Sequence, residues 1–276
     1  MFEKKFKIDD FDFDVEDILR IAWNAGKEIM NIYLKDFSVE YKDDKSPLTE
    51  ADKKSHKIIV NNLKKFNLPI LSEEGRDISY NERKNWNLFW MVDPIDGTKE
   101  FIKKNGEFTI NIALIYNNEP VFGIVYAPAI EEIYFTDEKY SYKANLNIDF
   151  FELKNIKKLP IKRDDNKLVI VASKSHLNEE TKEFIESIKT DKEKEFISKG
   201  SSLKFCMVAE GKADIYPRLA PTMEWDTAAA DAIVRKAGKM TYIYTIKSID
   251  SIDSIKSLDS IIYNKENLLN PYFIVL

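Results

Sequence analysis

The chain has 276 residues, of which 44% are hydrophobic and 32% are charged, and its formal net charge is -5. This composition provides enough apolar side chains for a large core and excludes a chain that is disordered as a whole. Because basic and acidic residues are interspersed and the net charge is mildly acidic, a nucleic acid polymer is not expected as a partner.

The single cysteine, Cys206, lies in an apolar pattern, which indicates an inert core thiol and a reducing compartment. The amino terminus lacks the apolar segment of a signal peptide, and no later apolar run is long enough to span a bilayer. We therefore expect a cytoplasmic protein without a transmembrane segment. Peripheral association with the inner membrane stays open, as does the choice between a monomer and a homodimer.

Two helices are expected near the start of the chain. Val15 to Leu34 has apolar residues at helical spacing, and a second helix follows a polar turn that ends at Thr49 to Asp52. Thr49 and Asp52 match a variant capping box, with Thr49 as N-cap and Asp52 at the third helical position. A capped helix start also holds side chains still for chemistry, so a functional role for both residues stays open.

Acidic residues then follow two apolar runs. Glu73 and Glu74 come after the short strand-like run Pro69 to Leu71, where a solvated turn is the usual explanation. The second run, Leu88 to Val92, predicts a buried strand, and Pro94 prevents its continuation as an interior strand of a sheet.

The residues after this second run combine two carboxylates with a hydroxyl. Asp93 and Asp96 leave the carboxyl end of the strand, and Gly97 permits a left-handed backbone. Thr98 could cap a short helix whose free N–H groups would face an anion. The pattern indicates a metal and phosphate site, with an Asx-type turn between strand and helix as the alternative.

Three strand-like runs predict an antiparallel sheet in the middle of the chain: Phe108 to Tyr116, Val121 to Ala127 and Glu132 to Thr136, the first two joined by a hairpin signal. Residues 140–167 are charged and weakly patterned, so we place a soft boundary there. This divides the chain into an α+β half, residues 1–150, and an α/β half, residues 151–276.

Strands and helices alternate in the second half. The expected elements are a strand at Leu168 to Ala172, a helix at Glu179 to Ile188, a helix at Leu203 to Ala209, a strand at Asp214 to Pro217, a helix from Trp225 to Gly238 and a terminal strand from Pro271. Asp226 lies at the start of its helix, where an N-cap role is the simplest explanation. Ser-Ile-Asp repeats at residues 248–259 indicate a variable surface element.

Four acids at the ends of regular elements, Glu73, Asp93, Asp96 and Asp226, could converge in one cleft, with Thr49 and Asp52 nearby. Several carboxylates cannot share a dry pocket without neutralisation, and Mg²⁺ is the cation that best suits an all-oxygen site. The absence of Cys or His clusters argues against zinc. Such a site predicts hydrolysis of a phosphate monoester by metal-activated water.

An aspartyl-phosphate mechanism is the competing chemistry, since an Asp-x-Asp-Gly-Thr run would place one Asp as a nucleophile. Here two residues separate Asp93 from Asp96, which is one too many for that motif. The spacing therefore favours water as the nucleophile.

Several segments together resemble the lithium-sensitive, Mg²⁺-dependent inositol monophosphatase superfamily. The superfamily motifs are Asp-Pro-Ile-Asp-Gly-Thr at residues 93–98, Glu-Glu at 73–74 and Trp-Asp-Thr-Ala-Ala at 225–229. Longer agreement, at residues 46–52, 71–74, 97–109, 200–206 and 263–271, is similar to the CysQ-type 3'(2'),5'-bisphosphate nucleotidases. The match covers nearly the whole chain, and the Asp-Gly-Thr-Lys-Glu-Phe block is its most specific part.

This resemblance implies a layered αβαβα sandwich and two or three Mg²⁺ ions. It also implies removal of the 3'-phosphate from adenosine 3',5'-bisphosphate to give AMP, with 3'-phosphoadenylyl sulfate as a further nucleotide substrate. In this role the enzyme clears a by-product of sulfate assimilation. The alternatives are an inositol-phosphate or sugar-phosphate phosphatase of the same superfamily and, from another class, a non-catalytic nucleotide sensor.

The resemblance also implies roles for individual residues. The metal ligands of the family fall on Glu73, Asp93, the carbonyl of Ile95, Asp96 and Asp226. Asp52 and Thr49 match the positions that orient or activate the attacking water, with Glu73 and Thr98 beside them. Substrate contacts fall on Ile95, Gly97, Thr98, His176, Ser201, Lys204, Arg218 and Asp226. His176 could equally cap the helix that follows it, and Arg218 could be an ordinary surface charge.

Overall fold

The computed structural model describes residues 2–41, 47–163, 166–172, 178–245 and 252–276. Its strands are β1 (Lys5–Ile8), β2 (Phe11–Asp14), β3 (Val39–Tyr41), β4 (Pro47–Thr49), β5 (Ile70–Ser72), β6 (Leu88–Asp96), β7 (Thr109–Tyr116), β8 (Glu119–Ala127), β9 (Glu132–Thr136), β10 (Ser141–Leu146), β11 (Leu153–Lys158), β12 (Lys167–Ala172), β13 (Glu193–Ser198), β14 (Tyr216–Arg218), β15 (Thr241–Ile243) and β16 (Phe273–Val275). Its helices are α1 (Val15–Tyr33), α2 (Glu50–Leu63), α3 (Tyr80–Arg83), α4 (Thr98–Ile102), α5 (Glu179–Ser187), α6 (Leu203–Glu210), α7 (Glu224–Lys236) and α8 (Ile252–Ile255).

The largest sheet has seven strands in the order β11-β10-β9-β8-β7-β6-β5. All neighbours are antiparallel except β5 and β6, which are parallel. Asn117 and Asn118 form the two-residue turn between β7 and β8, and both have positive φ, as the tight turns of hairpins require. The antiparallel sheet predicted in the middle of the chain is thus confirmed.

The weakly patterned segment, residues 140–167, contains the two strands β10 and β11. Sequence patterning does not predict β11 because it is an edge strand whose Lys side chains are exposed, which is how edges are protected from pairing with other chains. Since β11 lies beyond residue 150 and still pairs with β10, the sheet crosses the expected boundary. The division of the chain into two halves stays a prediction.

The two faces of this sheet are covered by different helix pairs. Alternate residues of the central strands, such as Trp90 and Ile112, pack with α1 and α2 in one buried cluster. The intervening residues, such as Met91 and Ala113, pack with α6 and α7 in another. Successive residues of a strand point to opposite faces of the sheet, and here both faces are buried. This explains why β6 and β7 have near-continuous apolar sequences.

A second β layer lies on the far side of α6 and α7. It consists of the parallel pair β12-β13 and the antiparallel sheet β14-β16-β15, which a bridge between Ile170 and Ile215 connects. Val169 and Val171 face α6 and α7, whereas Leu168 and Ile170 pack with α5. The order of layers is α, β, α, β, α, which confirms the predicted sandwich.

The remaining expectations concern single segments. Cys206 is buried, as predicted, and burial raises the pKa of its thiol. Residues 248–251 of the Ser-Ile-Asp tract lie outside the described residues, but Ile255 in α8 is buried against the second β layer. This end of the tract is therefore not a purely surface element. None of the described helices has the length and hydrophobicity needed to cross a bilayer.

Candidate active site

The carboxyl end of β6 presents two acids because there it pairs with β7 only and no longer with β5. Pairing with β5 ends at Val92, and Pro94, which has no N–H, follows. The strand continues to Asp96 along β7 alone, with a shift in register between Asp93 and Asp96. Pro94 therefore ends the interior strand, as predicted, without ending the strand itself. Asp93 is buried and its Oδ1 accepts a hydrogen bond from the Ile95 N–H at 3.0 Å.

A left-handed residue joins this strand end to a short helix. Gly97, with φ of +88°, occupies the N-cap of α4, so the expectation that Thr98 caps this helix is wrong. Thr98 is instead its first residue, and its side chain is turned toward Asp52 and the Ile95 carbonyl. The Thr98 hydroxyl lies 3.3 Å from Asp52 Oδ1 and 3.4 Å from the Ile95 carbonyl oxygen.

The start of α2 brings a third acid to this place. Thr49 is the N-cap and Asp52 is the third helical residue, which confirms the predicted capping box. Asp52 Oδ2 accepts hydrogen bonds from the Thr49 N–H at 2.8 Å and from the Thr49 hydroxyl at 2.6 Å. Burial raises the pKa of Asp52 although both of these hydrogen bonds oppose the shift.

The start of α7 brings a fourth acid, Asp226, to the same place. Asp226 is the third residue of α7, and its Oδ2 accepts a hydrogen bond from the N–H of the N-cap, Met223, at 2.9 Å. The N-cap interpretation of Asp226 is therefore wrong by three positions. The acid caps the helix from within, as Asp52 does in α2, and each carboxylate also gains from the positive end of its helix.

Three of the predicted metal ligands lie close together. Oxygen atoms of Glu73, Asp93 and Asp226 all lie within 4.8 Å of one another. Burial, and then the charges of neighbouring acids, raise the pKa of Asp93 and of Asp226 well above the ordinary range. The carboxylates therefore resist ionising together unless a cation neutralises them.

Asp96 lies outside this group of three, although its charge contributes to the raised pKa of both Asp93 and Asp226. Its Oδ2 accepts a 2.7 Å hydrogen bond from the Ser202 hydroxyl, which leaves Oδ1 free of that contact. Within the described ranges the converging donors are carboxylates, with neither His nor Cys among them. A hard divalent cation fits such a donor set. Of the hard divalent cations, Mg²⁺ typically binds one or two carboxylates and keeps several of its water ligands.

Glu73, Asp96 and Asp226 border a cavity of about 360 Å³, which we call the acidic cleft. Its lining includes Glu73, Asp96, Gly97, Thr98, Ser201, Lys204, Arg218 and Asp226. Burial lowers the pKa of Lys204 to about 8, an effect that the charge of Asp96 opposes and that of Arg218 reinforces. The Lys204 ammonium donates to the Ser201 carbonyl at 2.6 Å, and Arg218 donates to the Pro221 carbonyl at 2.9 Å.

Of the residues predicted to contact the nucleotide in the second half of the chain, the structure describes all but one. Ser201, Lys204 and Arg218 are brought together at the acidic cleft. His176 lies outside the described residues, so its role stays a prediction. Ser201 Oγ and Arg218 Nε are buried and have no hydrogen-bond partner in the described part of the chain, so both retain capacity for a ligand.

Sequence reasoning missed Thr109, Asn111 and Ser202, which connect the acids to the sheet. Thr109 and Asn111 are buried on β7, and Ser202 precedes α6. A signal was present, because Thr109 and Asn111 are polar residues two apart in an otherwise apolar run. On a strand such residues share one face, which here is the face toward α6 and α7.

Comparison with known proteins gives the same assignment across almost the whole chain. The model of the inositol monophosphatase family matches residues 14–250. The chain belongs to this family. A curated relative, the 3'(2'),5'-bisphosphate nucleotidase CysQ of Salmonella typhimurium, is 40% identical over 265 residues, which cover 95% of this chain and 98% of the relative. The CysQ protein of Escherichia coli K12 is 39% identical with the same coverage.

Solved structures support the fold. The crystal structure of CysQ from Bacteroides thetaiotaomicron superposes with a TM-score of 0.81 and 44% identity, covering 94% of this chain and 95% of that one. An IMPase from Thermotoga maritima gives a TM-score of 0.67 at 24% identity, with 95% and 91% coverage. At that lower identity the likeness concerns the fold alone. The chain has the inositol monophosphatase fold, as the sequence resemblance implied.

Proposed function

We propose that this chain is a Mg²⁺-dependent 3'(2'),5'-bisphosphate nucleotidase that hydrolyses the 3'-phosphate of adenosine 3',5'-bisphosphate to AMP and phosphate. The observation that carries the proposal is the convergence of Glu73, Asp93 and Asp226 beside a cleft that also holds Lys204 and Arg218. The carboxylates suit a metal ion that would in turn bind the phosphate ester, and the adjacent cationic side chains suit the second phosphate of the substrate. The curated relatives that bear this activity in their names support the choice of substrate.

Glu73, Asp93, Asp96, Asp226 and the carbonyl of Ile95 would hold the metal. Mg²⁺ held there would supply Lewis-acid stabilisation of charge on the phosphate oxygens and would lower the pKa of a bound water. The carboxylates fit this role because all donors are oxygen atoms and because burial makes their ionisation depend on a neutralising cation.

Thr49 and Asp52 would handle the proton of the attacking water. The Thr49 hydroxyl donates a hydrogen bond to Asp52 Oδ2, and its oxygen retains lone pairs. It would accept the proton of the water as its own proton passes to the Asp52 carboxylate. Thr98, whose hydroxyl is directed at Asp52 Oδ1, would help to fix this carboxylate, and Gly97 and Thr98 would contact the phosphate at the cleft wall.

Lys204, Arg218 and Ser201 would contact the nucleotide. The two cations lie in the lining of the acidic cleft, and the buried Ser201 hydroxyl has no partner among the described residues. 3'-Phosphoadenylyl sulfate carries the same 3'-phosphate and would be a further substrate, so the enzyme would serve sulfate assimilation. The role of His176 as an additional nucleotide contact stays a prediction.

The test is phosphate release from adenosine 3',5'-bisphosphate, inositol 1-phosphate and a sugar phosphate, each measured with Mg²⁺ and after chelation. We expect the nucleotide to give the highest kcat/KM, activity to require Mg²⁺, and Asp93→Asn to lower activity at least about 10³-fold. Preference for inositol 1-phosphate would replace the proposal with an inositol monophosphatase. Full activity in Asp93→Asn would refute the metal-dependent site, and nucleotide binding without turnover would indicate a sensor.

A further inference from the structure

A chain of buried hydrogen bonds runs from the central sheet to two of the candidate metal ligands. On β7, the Thr109 hydroxyl donates to Asn111 Oδ1 at 3.0 Å. The Asn111 amide donates to Ser202 Oγ at 2.9 Å, and Ser202 Oγ lies 2.7 Å from Asp96 Oδ2. The three residues of the chain, Thr109, Asn111 and Ser202, have 0%, 1% and 1% of their surface exposed, so water does not replace these contacts.

The Ser202 hydroxyl joins two different structural elements. Besides Asp96 at the end of β6, it lies 2.7 Å from the carbonyl oxygen of Asp226 in α7. A hydroxyl has one proton, so the two acceptors share it, while Asn111 occupies one of its lone pairs. This shared donor holds Asp96 and Asp226 at a fixed separation.

Ser202 does not have the usual role of a serine in its position. It is the N-cap of α6, where a serine side chain ordinarily accepts a hydrogen bond from the first turn, but it makes no such cap. Its hydroxyl is turned instead to the Asp96 carboxylate and to the backbone carbonyl of Asp226. The helix therefore lacks this stabilising contact, and the Asp96 carboxylate gains one.

Asn111 is equally unusual for its setting. Ala113 and Ile115 are the next residues on the same face of β7, and both pack in the apolar cluster against α6 and α7. An apolar residue at position 111 would extend that cluster without the cost of burying an amide. Asn111 is also the direct cross-strand neighbour of Asp93, and Thr109 is that of Asp96, so the chain of hydrogen bonds lies beside the acids.

We infer that Thr109, Asn111 and Ser202 are positioning residues that set the orientation of the Asp96 carboxylate, and its separation from the first turn of α7 with Asp226, for one divalent cation. This inference rests on the proposed function, since it assumes that these acids bind metal. None of the three needs to touch the cation. They form hydrogen bonds that orient a metal ligand. Mutation of residues with this role commonly weakens metal affinity about 10- to 100-fold.

The test measures Mg²⁺ binding by calorimetry without substrate, so that it does not depend on turnover. We expect Asn111→Leu to raise the Kd for Mg²⁺ about 10- to 100-fold. Thr109→Val should raise it about fivefold through the loss of one hydrogen bond, and Thr109→Ser, which retains the hydroxyl, should stay near wild type. In kinetics, saturating Mg²⁺ should restore most of kcat in both weakened variants.

Thr181→Val is the matched control, because Thr181 is also buried and its hydroxyl also donates to an Asn side-chain oxygen, that of Asn178, in α5. It should lower stability and leave the Kd for Mg²⁺ unchanged. An unchanged Kd in a folded Asn111→Leu would overturn the inference. If that variant fails to fold, equal Kd values for Thr109→Val and Thr109→Ser would overturn it. A wild-type protein that binds no Mg²⁺ would refute the proposed function as well.

Discussion

At the scale of single residues, Thr49 and Asp52 form the pair best suited to accept a proton from water. Their hydroxyl and carboxylate are 2.6 Å apart, and both residues are buried at a helix start that holds them in one geometry. Asp52 has a pKa raised by burial, which makes it a better proton acceptor than an exposed carboxylate.

Replacement of the Thr49 hydroxyl should therefore affect the chemical step. We expect Thr49→Val to lower kcat about 10²- to 10³-fold, the usual contribution of a positioned acid or base, with little change in KM or in Mg²⁺ affinity. Thr49→Ser, which keeps the hydroxyl, should retain most of kcat. Steady-state kinetics at saturating Mg²⁺ will measure this, and equal kcat values in the two variants would exclude a proton-handling role.

Lys204 offers a second test at this scale, through the dependence of activity on pH. Burial lowers its pKa to about 8, so its positive charge is present below that pH and is lost as the pH rises through it. If Lys204 binds an anionic substrate, kcat/KM should fall on the alkaline side of pH 8. Lys204→Met should lower kcat/KM at pH 7 about 10- to 100-fold and remove this decline. Persistence of the same decline in Lys204→Met would assign it to another group.

At the scale of elements, the positions of the acids follow from local sequence patterns, namely the starts of helices and the end of an apolar strand. Asp52 and Asp226 are both third residues of their helices, and Asp93 and Asp96 lie at the end of β6 after its apolar residues. Such features depend on neighbours within a few positions, so they could be predicted, except that the pattern places Asp226 at the N-cap, whereas it is the third helical residue. The contact of Asn111 with Ser202 joins residues 91 positions apart, and only the packing of α6 on the sheet brings them together.

The approach of α7 to the sheet depends on Gly123. A Cβ at this position of β8 would overlap the carbonyl oxygen of Ala229 and lie 2.9 Å from the Cβ of Ala232, both on α7. Gly123→Ala should therefore displace α7 and cost about 1–3 kcal/mol, the usual range for overpacking. Because Asp226 is in the first turn of the same helix, Mg²⁺ affinity should fall as well. Denaturant unfolding and metal titration measure the two effects, and a variant with wild-type values would show that α7 does not depend on this contact.

At the scale of the whole molecule, the layers could be predicted only through family resemblance. Periodicity predicted the helices α1, α2, α5, α6 and α7 and the strands β5 to β9, β12, β14 and β16. It did not indicate that β12 to β16 form a second layer behind α6 and α7. Among the strands it missed are β10 and β11, and for β11 the reason is that an edge strand with exposed Lys residues lacks the apolar pattern of a buried one. The order of strands in a sheet depends on long-range pairing that no local pattern encodes.

The buried acids also connect metal binding to the stability of the entire fold. The pKa values of Asp93 and Asp226 are raised in the folded protein, so the folded state keeps protons that the unfolded chain has already lost. Without metal, these groups therefore contribute stability that is complete below an ordinary carboxylate pKa of about 4 and is lost as the pH rises through the raised folded values. Above those values the folded state contains crowded charges that Mg²⁺ can neutralise.

We accordingly expect Mg²⁺ to raise Tm more at pH 8 than at pH 5, since protonated carboxyls at low pH bind it weakly. At a concentration of 100 times Kd the gain should be about 2.7 kcal/mol. Asp93→Asn removes one buried acid, so its metal-free form should be more stable than wild-type protein at pH 8 and should gain less from Mg²⁺. Thermal unfolding of both proteins with Mg²⁺ and with chelator at the two pH values measures this. A Mg²⁺ effect on wild-type Tm that does not grow with pH would mean that the acids do not carry the coupling between metal and fold.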